Sequence, residues 1–401
     1  MIALFTILLL IAITSSQALK FKVHEDNELV FSSIVYRHGE RNPDSFYTND
    51  PYKNLSFWPA GLGSLTDKGK FQQFKLGKWL RKRYDTLIPE GRYSHDLLYV
   101  QSTDVDRTIM SALANLAGMF YPTQQEKWSN INWQPIPVHT VPKELDKELL
   151  IMLTKCQKIK EEEDLLKNDP MIKEYNEEHT ELFEYLGTHT GEQIRDTSKT
   201  RSIYTNLYIE SITQDNFTIP EWARCIYPER MSRVSVFDLQ MLTKSKTLKR
   251  LRGGPLLKEI ITHMKQKRSG NLRQNLWMYS GHDVTLTALM DAMGVFEPHI
   301  PPLAAAVMIE LRKDKNQDYF VSVYYKNSTE PYLLTIPGCT SSCQLDKFES
   351  LLLDVIPEDW DEECQNNEPD DVSFEDYWWY EKVVEESYLS ILQPGLLITL
   401  L

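Results

Sequence analysis

The chain has 401 residues, a formal net charge of −13 and 42% hydrophobic residues, which is enough to bury one large core or two smaller ones. The acidic balance argues against nucleic acid as a partner, because binding nucleic acid needs a basic surface. It does not argue against a small anion, since a local cluster of arginines creates a positive field inside an acidic protein.

Residues 1–18 are predicted to be a signal peptide, because an apolar run leads to a small-x-small site at Ser16-Gln17-Ala18. No later stretch reaches the roughly 20 apolar residues of a membrane helix, so no membrane span is expected. We therefore expect a secreted protein, with a lysosomal location as the alternative. Sequons at Asn54, Asn216 and Asn327 agree with glycosylation on that route.

An apolar run at residues 29–36 predicts a buried strand, and a glycine and a proline soon after it mark a turn. Arg37, His38 and Arg41 follow the strand directly. Neutral imidazole is a nucleophile, and guanidinium groups offer paired donors to phosphoryl oxygens. This stretch therefore predicts a phosphate site, and a basic surface loop is the alternative.

The next elements repeat this order. A helix is predicted to begin after Thr66, a strand covers residues 97–101, and a polar turn then leads to Arg107 and a helix at 108–120. Arg107 thus lies where a helix follows a strand.

Residues 144–215 are rich in Glu and Lys, poor in strand signals and broken by Pro and Gly into helical pieces, which predicts an all-helical cap insertion. The predicted organisation is a signal peptide at 1–18, an α/β catalytic domain at 19–143 and 240–370, the helical insertion at 144–239 and a C-terminal tail at 371–401.

The last part of the chain returns to alternating elements. They are a helix at 256–267, a strand at 276–280, the pair His282-Asp283, a helix at 284–293 and a hairpin of strands at 305–311 and 319–325.

Three times, then, a strand ends, a short loop carries charged groups and a helix begins. In an open α/β sheet the ligand site lies outside the carboxyl ends of the strands. The predicted fold class is therefore α/β, with the three loops meeting at one edge of the sheet.

Several stretches resemble the histidine acid phosphatases, a family that includes prostatic, lysosomal and insect-venom enzymes. The matching stretches are 36–43 (Arg-His-Gly-x-Arg-x-Pro within it), 102–108, 133–139, 279–283 and 337–339, spread over residues 20–365. The resemblance implies a Rossmann-like central mixed sheet with helices on both faces and an inserted helical cap. His139 lies in a matching stretch, and we assign it no mechanism.

The resemblance places the same charged residues in the active site. His38 is expected to attack phosphorus through one ring nitrogen while a backbone carbonyl holds the other as N–H, giving a phosphohistidine. Arg37, Arg41, Arg107 and His282 are expected to hold the phosphoryl oxygens.

Asp283 is expected to be the general acid, because a carboxyl beside a bound phosphate anion keeps its proton to a higher pH than the ~3.9 of free aspartic acid. Two alternatives stay open. Arg107 could belong to an ion pair with Asp104 or Asp106, and His282 with Asp283 could simply cap the following helix.

Five cysteines in an exported chain suggest disulfides with one thiol left over. The resemblance implies the pairs Cys156–Cys364 and Cys339–Cys343, which leaves Cys225 without a partner. No Cys-x-x-Cys or His-Glu-x-x-His motif is present, so neither a metal nor another cofactor is expected.

The sequence thus predicts an acid phosphatase that hydrolyses small phosphate monoesters through a phosphohistidine. The alternatives are a phytase-like inositol polyphosphate phosphatase and a non-catalytic binder of phosphorylated ligands. A homodimer is left open.

Overall fold

The computed structural model describes residues 27–89, 92–213, 217–327 and 330–365. The predicted signal peptide, the sequon residue Asn216 and the C-terminal tail lie outside the described residues. Among those that are described, no helix combines the length and the apolar character needed to cross a membrane.

A mixed sheet forms the centre of the fold, with eight strands in the described part of the chain. The strands are β1 (Glu28–Arg37), β2 (Leu98–Thr103), β3 (His139–Val141), β4 (Leu276–Gly281), β5 (Ala306–Lys313), β6 (Tyr319–Lys326), β7 (Tyr332–Leu334) and β8 (Cys343–Gln344). Their order is β3-β2-β4-β1-β5-β6-β7, and β8 pairs with β6.

The strands that carry the charged loops are parallel. β4 pairs in parallel with β1 and with β2, so the three strands end at the same edge of the sheet. The other half is antiparallel, and β5 pairs with β6 as the predicted hairpin. The predicted convergence of the three loops therefore follows from the strand order.

β1 shows why the sheet is covered on both faces. Phe31 and Val35 belong to one apolar cluster, whereas Ile34 and Tyr36 belong to a second. Because successive side chains of a strand point to opposite faces, an apolar run of this kind needs a packed layer on each side. The predicted α/β class, a mixed sheet with helices on both faces, is confirmed.

The helices in the described residues are α1 (Asp67–Arg83), α2 (Asp106–Met119), α3 (Gln157–Lys167), α4 (Pro170–Glu178), α5 (Thr180–Thr190), α6 (Thr197–Thr213), α7 (Glu229–Met241), α8 (Lys246–Arg268), α9 (Asp283–Ala292), α10 (Leu345–Leu352) and α11 (Trp360–Glu363). The predicted cap at the start of α1 is present, since Thr66 Oγ1 accepts from the Gly69 amide at 3.0 Å.

One helix begins earlier than predicted. The sequence placed its start at residue 256, but α8 already begins at Lys246 and has Pro255 in its interior. A proline leaves the carbonyl four residues before it without its helical donor. Here that carbonyl belongs to Leu251, and the indole N–H of Trp360 donates to it at 2.9 Å. A distant side chain thus allows the helix to continue through the proline.

Helices α3 to α7 fall largely in the segment predicted to be inserted, and the described part of that segment contains no strand. Many of its buried apolar side chains form a cluster of their own, which Tyr47 from the loop after β1 joins, whereas Cys156 and Ile159 pack against α8. α7 ends at Met241, so the predicted boundary at 239 falls inside a helix. The division into domains stays a prediction.

Candidate active site

The carboxyl ends of β1, β2 and β4 bring together the six residues predicted to form the site. The rings of His38 and His282 have centroids 5.5 Å apart, and Arg37 contacts Asp283 directly. Arg41 and Arg107 share one acidic neighbour. Five of the six side chains are buried, and Asp283 is half-buried.

His38 is held as a neutral imidazole. Its Nδ1 lies 2.8 Å from the carbonyl oxygen of Gly39. Because a carbonyl can only accept, Nδ1 carries the proton and Nε2 keeps its lone pair. Burial lowers the pKa of His38 well below 6.5, and the charges of Arg107 and Arg37 lower it further.

The backbone around His38 is fixed by close packing. The Gly39 amide donates to Ser111 Oγ in α2 at 3.1 Å. A Cβ at Gly39 would lie only 2.3 Å from the carbonyl oxygen of Gly69 in α1. Only glycine permits this approach of two backbones, which accounts for the glycine after the histidine.

Arg37 is tied to three parts of the chain. Its Nη2 lies 2.9 Å from Asp283 Oδ2, and its Nη1 donates to the Pro301 carbonyl. Its own carbonyl accepts from Gln73 Nε2 at 2.8 Å. The guanidinium is therefore pre-positioned at the end of β1.

Asp44 lies between the other two arginines. Its Oδ2 is 2.7 Å from Arg41 Nη2 and its Oδ1 is 3.4 Å from Arg107 Nη1. The alternative interpretation of Arg107 thus named the wrong partners, because Asp104 and Asp106 are exposed and the contact is with Asp44.

His282 occupies the N-cap position of α9, and its amide donates to Thr285 Oγ1 at 3.1 Å. Its Nε2 lies 3.1 Å from Thr103 Oγ1 at the end of β2. Burial and the charge of Arg107 lower its pKa to about 3, although Asp283 acts in the opposite direction. His282 therefore caps α9 and also lies in the candidate site.

Asp283 is the first residue of α9, and its Oδ1 accepts from the Val284 amide at 2.9 Å. Burial alone would raise its pKa, but Arg37, Arg201 and His282 together lower it to about 2. The upward shift expected beside a bound phosphate is thus opposed by the protein's own charges. The general-acid role stays a prediction.

Sequence reasoning missed several supporting residues. Thr103 lies in the stretch 102–108 that resembles the histidine acid phosphatases, so the sequence indicated that this residue lies near the site. Asp44 follows the first motif directly, but nothing in the sequence indicates which way its side chain points. Gln73 and Pro301 lie 36 and 264 residues from Arg37 and gave no signal.

The remaining candidate residues lie elsewhere. The structure contains the disulfides Cys156–Cys364 and Cys339–Cys343, and Cys225 is free and exposed.

Asn54 is exposed and Asn327 is half-buried. His139 stacks on Tyr99, with ring centroids 4.6 Å apart. Within the described ranges, no group of three or more His, Cys, Asp and Glu side chains is arranged to hold a metal ion.

A neutral histidine among buried arginines, at the carboxyl edge of an α/β sheet, defines a site suited to a phosphoryl anion. Residues 28–326 match the family model described as "Histidine phosphatase superfamily (branch 2)". The chain therefore belongs to branch 2 of the histidine phosphatase superfamily.

Curated relatives agree with this membership. Prostatic acid phosphatase of Homo sapiens is 40% identical over 347 residues, covering 84% of this chain and 88% of that protein. The Rattus norvegicus form is 39% identical, with coverages of 86% and 92%. Lysosomal acid phosphatase of Bos taurus is 35% identical, with coverages of 84% and 80%.

Solved structures with the same fold include the phytase from Citrobacter braakii. It aligns with a TM-score of 0.64 and 18% identity, and the alignment covers 84% of this chain and 99% of that one. Apo Hafnia alvei phytase has a TM-score of 0.63 and 16% identity, with coverages of 84% and 98%. At such identities the likeness concerns the fold alone.

Proposed function

We propose that the chain is an acid phosphatase that hydrolyses phosphate monoesters through a phosphohistidine on His38. The observation that carries the proposal is a neutral imidazole held beside three buried guanidinium groups. The Nε atoms of Arg37 and Arg107 are buried, and within the described residues they have no hydrogen-bond partner. Such donors favour an anionic ligand, since unsatisfied buried charge is costly.

In the first step, Nε2 of His38 attacks phosphorus and the bond from phosphorus to the ester oxygen breaks. Arg37, Arg41, Arg107 and His282 hold the equatorial oxygens as charge spreads over them. The leaving oxygen takes a proton, and Asp283 is the proposed donor because it lies beside Arg37 at the start of α9.

The proton on Asp283 needs a source, because the contact with Arg37 keeps the carboxylate ionised. The positive charge of Arg37 lowers the pKa of Asp283, and a phosphoryl anion bound to Arg37 offsets part of that charge. It also adds negative charge nearby. Both effects raise the pKa of Asp283, so a proton from solution or from a monoanionic substrate can reside on it.

In the second step, water attacks the phosphohistidine and the nitrogen–phosphorus bond breaks. Asp283, now ionised, takes the proton that the water releases, and neutral His38 and inorganic phosphate result. His38 does not need to lose a proton at any point. Its lowered pKa therefore keeps the nucleophile available at acid pH, where an ordinary histidine is protonated.

We also propose that the protein is secreted or lysosomal and glycosylated. The names of its prostatic and lysosomal relatives and the exposed sequon residue Asn54 support this. Mass analysis before and after glycosidase treatment tests the glycosylation. The homodimer stays a prediction, and light scattering on the purified protein tests it.

The proposed activity is tested by assaying purified protein with p-nitrophenyl phosphate, an alkyl phosphate and inositol hexakisphosphate across acid pH. We expect turnover of both simple monoesters and its loss in His38→Ala. Preference for inositol hexakisphosphate would favour the phytase-like alternative. Phosphate binding without any turnover would favour the non-catalytic binder.

A further inference from the structure

Asp44 places a carboxylate against two of the arginines proposed to bind phosphate. Its two oxygens contact separate guanidinium groups, at 2.7 Å for Arg41 and 3.4 Å for Arg107. A carboxylate offers two oxygens that share one negative charge, as two oxygens of a phosphoryl group do. Guanidinium groups recognise both in the same way.

The backbone at Gly63 packs closely against one side of the Asp44 side chain. The amide of Gly63 donates to the carbonyl of Pro43 at 2.7 Å and closes the loop around Asp44. A Cβ at Gly63 would lie 2.9 Å from Asp44 Oδ1 and 3.6 Å from Arg107 Nη1. The loop wall therefore packs closely against the pair.

We propose that Asp44 competes with the phosphoryl group for Arg41 and Arg107 and thereby selects monoanionic over dianionic phosphoryl ligands. This inference rests on the proposed function, because it assigns the two arginines to phosphate binding. Asp44 is a specificity-determining residue in this account, and it takes no part in bond making or breaking.

The charge of the whole site supports the selection. Arg37, Arg41 and Arg107 contribute three positive charges, and Asp44 and Asp283 contribute two negative ones, which leaves one positive charge. The two histidines are neutral because their pKa values are lowered. A monoanion balances this charge as it stands, whereas a dianion leaves a buried excess of negative charge until Asp283 takes up a proton, as proposed for the bound state.

The groups that face Asp44 come from several elements. Arg41 belongs to its own loop, Arg107 to α2, and His282 and Asp283 to the start of α9. Burial raises the pKa of Asp44, but Arg107, Arg41 and His282 lower it below its ordinary value overall, against the opposing charge of Asp283. Asp44 thus stays ionised over the working range in the free site, and the pH dependence of binding comes from the ligand and from the proton that Asp283 takes up. The second ionisation of a phosphate monoester lies near pH 6.

A positioning role for Asp44 makes the opposite prediction. If Asp44 served mainly to position Arg41 and Arg107, its removal would loosen both guanidinium groups and weaken phosphate binding. If it competes with phosphate, its neutralisation strengthens that binding, above all for the dianion. The sign of the change therefore separates the two roles.

The experiment measures the inhibition constant of inorganic phosphate for wild type and Asp44→Asn, at about pH 5 and about pH 8.5, because the second ionisation of inorganic phosphate lies at a higher pH than that of a monoester. We expect phosphate to bind the variant roughly tenfold more tightly at the higher pH and with a smaller gain at the lower pH. The matched control is Asp106→Asn, which removes the same charge from an exposed position. It should change neither constant by more than about twofold.

Weaker or unchanged phosphate binding in Asp44→Asn at the higher pH would overturn the inference. Asp44→Ser provides a second neutral variant of smaller size and should change the constant in the same direction. Calorimetric titration with inorganic phosphate gives the same comparison without turnover. A protein that bound phosphate but hydrolysed nothing would therefore refute the proposed function and still test this inference.

Discussion

Arg37 Nη2 lies 2.9 Å from Asp283 Oδ2 and joins the last residue of β1 to the first residue of α9. The contact links the phosphate-binding and proton-transfer roles proposed for these two residues. While it is intact, the pKa of Asp283 stays near 2. A phosphoryl group that engages Arg37 therefore acts on the acid at the same time.

Asp283→Asn is expected to affect substrates according to their leaving groups. The amide keeps the shape of the side chain but has no proton to transfer. An alkyl phosphate has a strongly basic leaving oxygen and should lose most of its turnover, whereas p-nitrophenyl phosphate should keep much more. The measurement is the ratio of kcat/KM for the two substrates in each enzyme, because kcat/KM reports the step in which the leaving group departs and not the later attack of water, in which Asp283 also takes part. Equal losses on both substrates would remove the general-acid assignment.

Arg37→Ala, Arg41→Ala and Arg107→Ala should each lower kcat/KM by about 100-fold or more, because each removes a preorganised donor to the transferring group. Arg273→Ala is the control, since that side chain is 77% exposed. Near-normal kinetics in the Arg107 variant would place that residue outside the phosphate site and leave its contact with Asp44 as its role.

The buried pair Asp50 and Glu210 should make the stability of the folded state depend on pH. Both side chains are buried, and they join the loop after β1 to α6. Burial and the neighbouring Asp50 raise the pKa of Glu210 to about 9. The folded state therefore holds the proton on the Glu210 carboxyl more tightly than the unfolded chain does, because an unfolded glutamate titrates near 4.3. Stability contributed by the pair is present at acid pH and falls as the pH rises from about 4.5 towards 9.

Glu210→Gln removes the ionisable group and should raise Tm at about pH 8 while changing it little at about pH 4.5. Thermal unfolding of variant and wild type across this range measures the difference. Glu221→Gln is the control because its side chain is 87% exposed. A difference in Tm that did not grow with pH would show that the folded state does not hold the Glu210 proton more tightly than the unfolded chain does.

Cys225 should react as a single thiol per chain in denatured, unreduced protein, because the other four cysteines form two disulfides. Thiol titration checks the number, and Cys225→Ser should abolish the signal. A disulfide between Cys225 and Cys156 or Cys364 in mass mapping would contradict the pairing. A covalent dimer through Cys225 would keep the pairing and account for a missing thiol.

The local sequence pattern predicted the strands and loops that carry the candidate site. The strand before Arg37, the turn before Arg107 and the strand before His282 each had a clear local pattern, and the parallel order of those strands brought the loops together. Long-range contacts gave no such pattern. The donation from Trp360 to the Leu251 carbonyl lets α8 pass through Pro255, and it joins residues that no local rule connects. The direction of the Asp44 side chain likewise depends on Arg107, which lies 63 positions further along the chain.

The central claim is that His38 forms the covalent intermediate, and rapid quenching tests it most directly. Wild type mixed with excess p-nitrophenyl phosphate should yield an acid-labile phosphoryl group, and peptide mapping under alkaline conditions should place it on His38. His38→Ala should trap none and should lose turnover of aryl and alkyl phosphates alike. Phosphate recovered on another residue, or a His38→Ala variant that still turns over, would contradict the account.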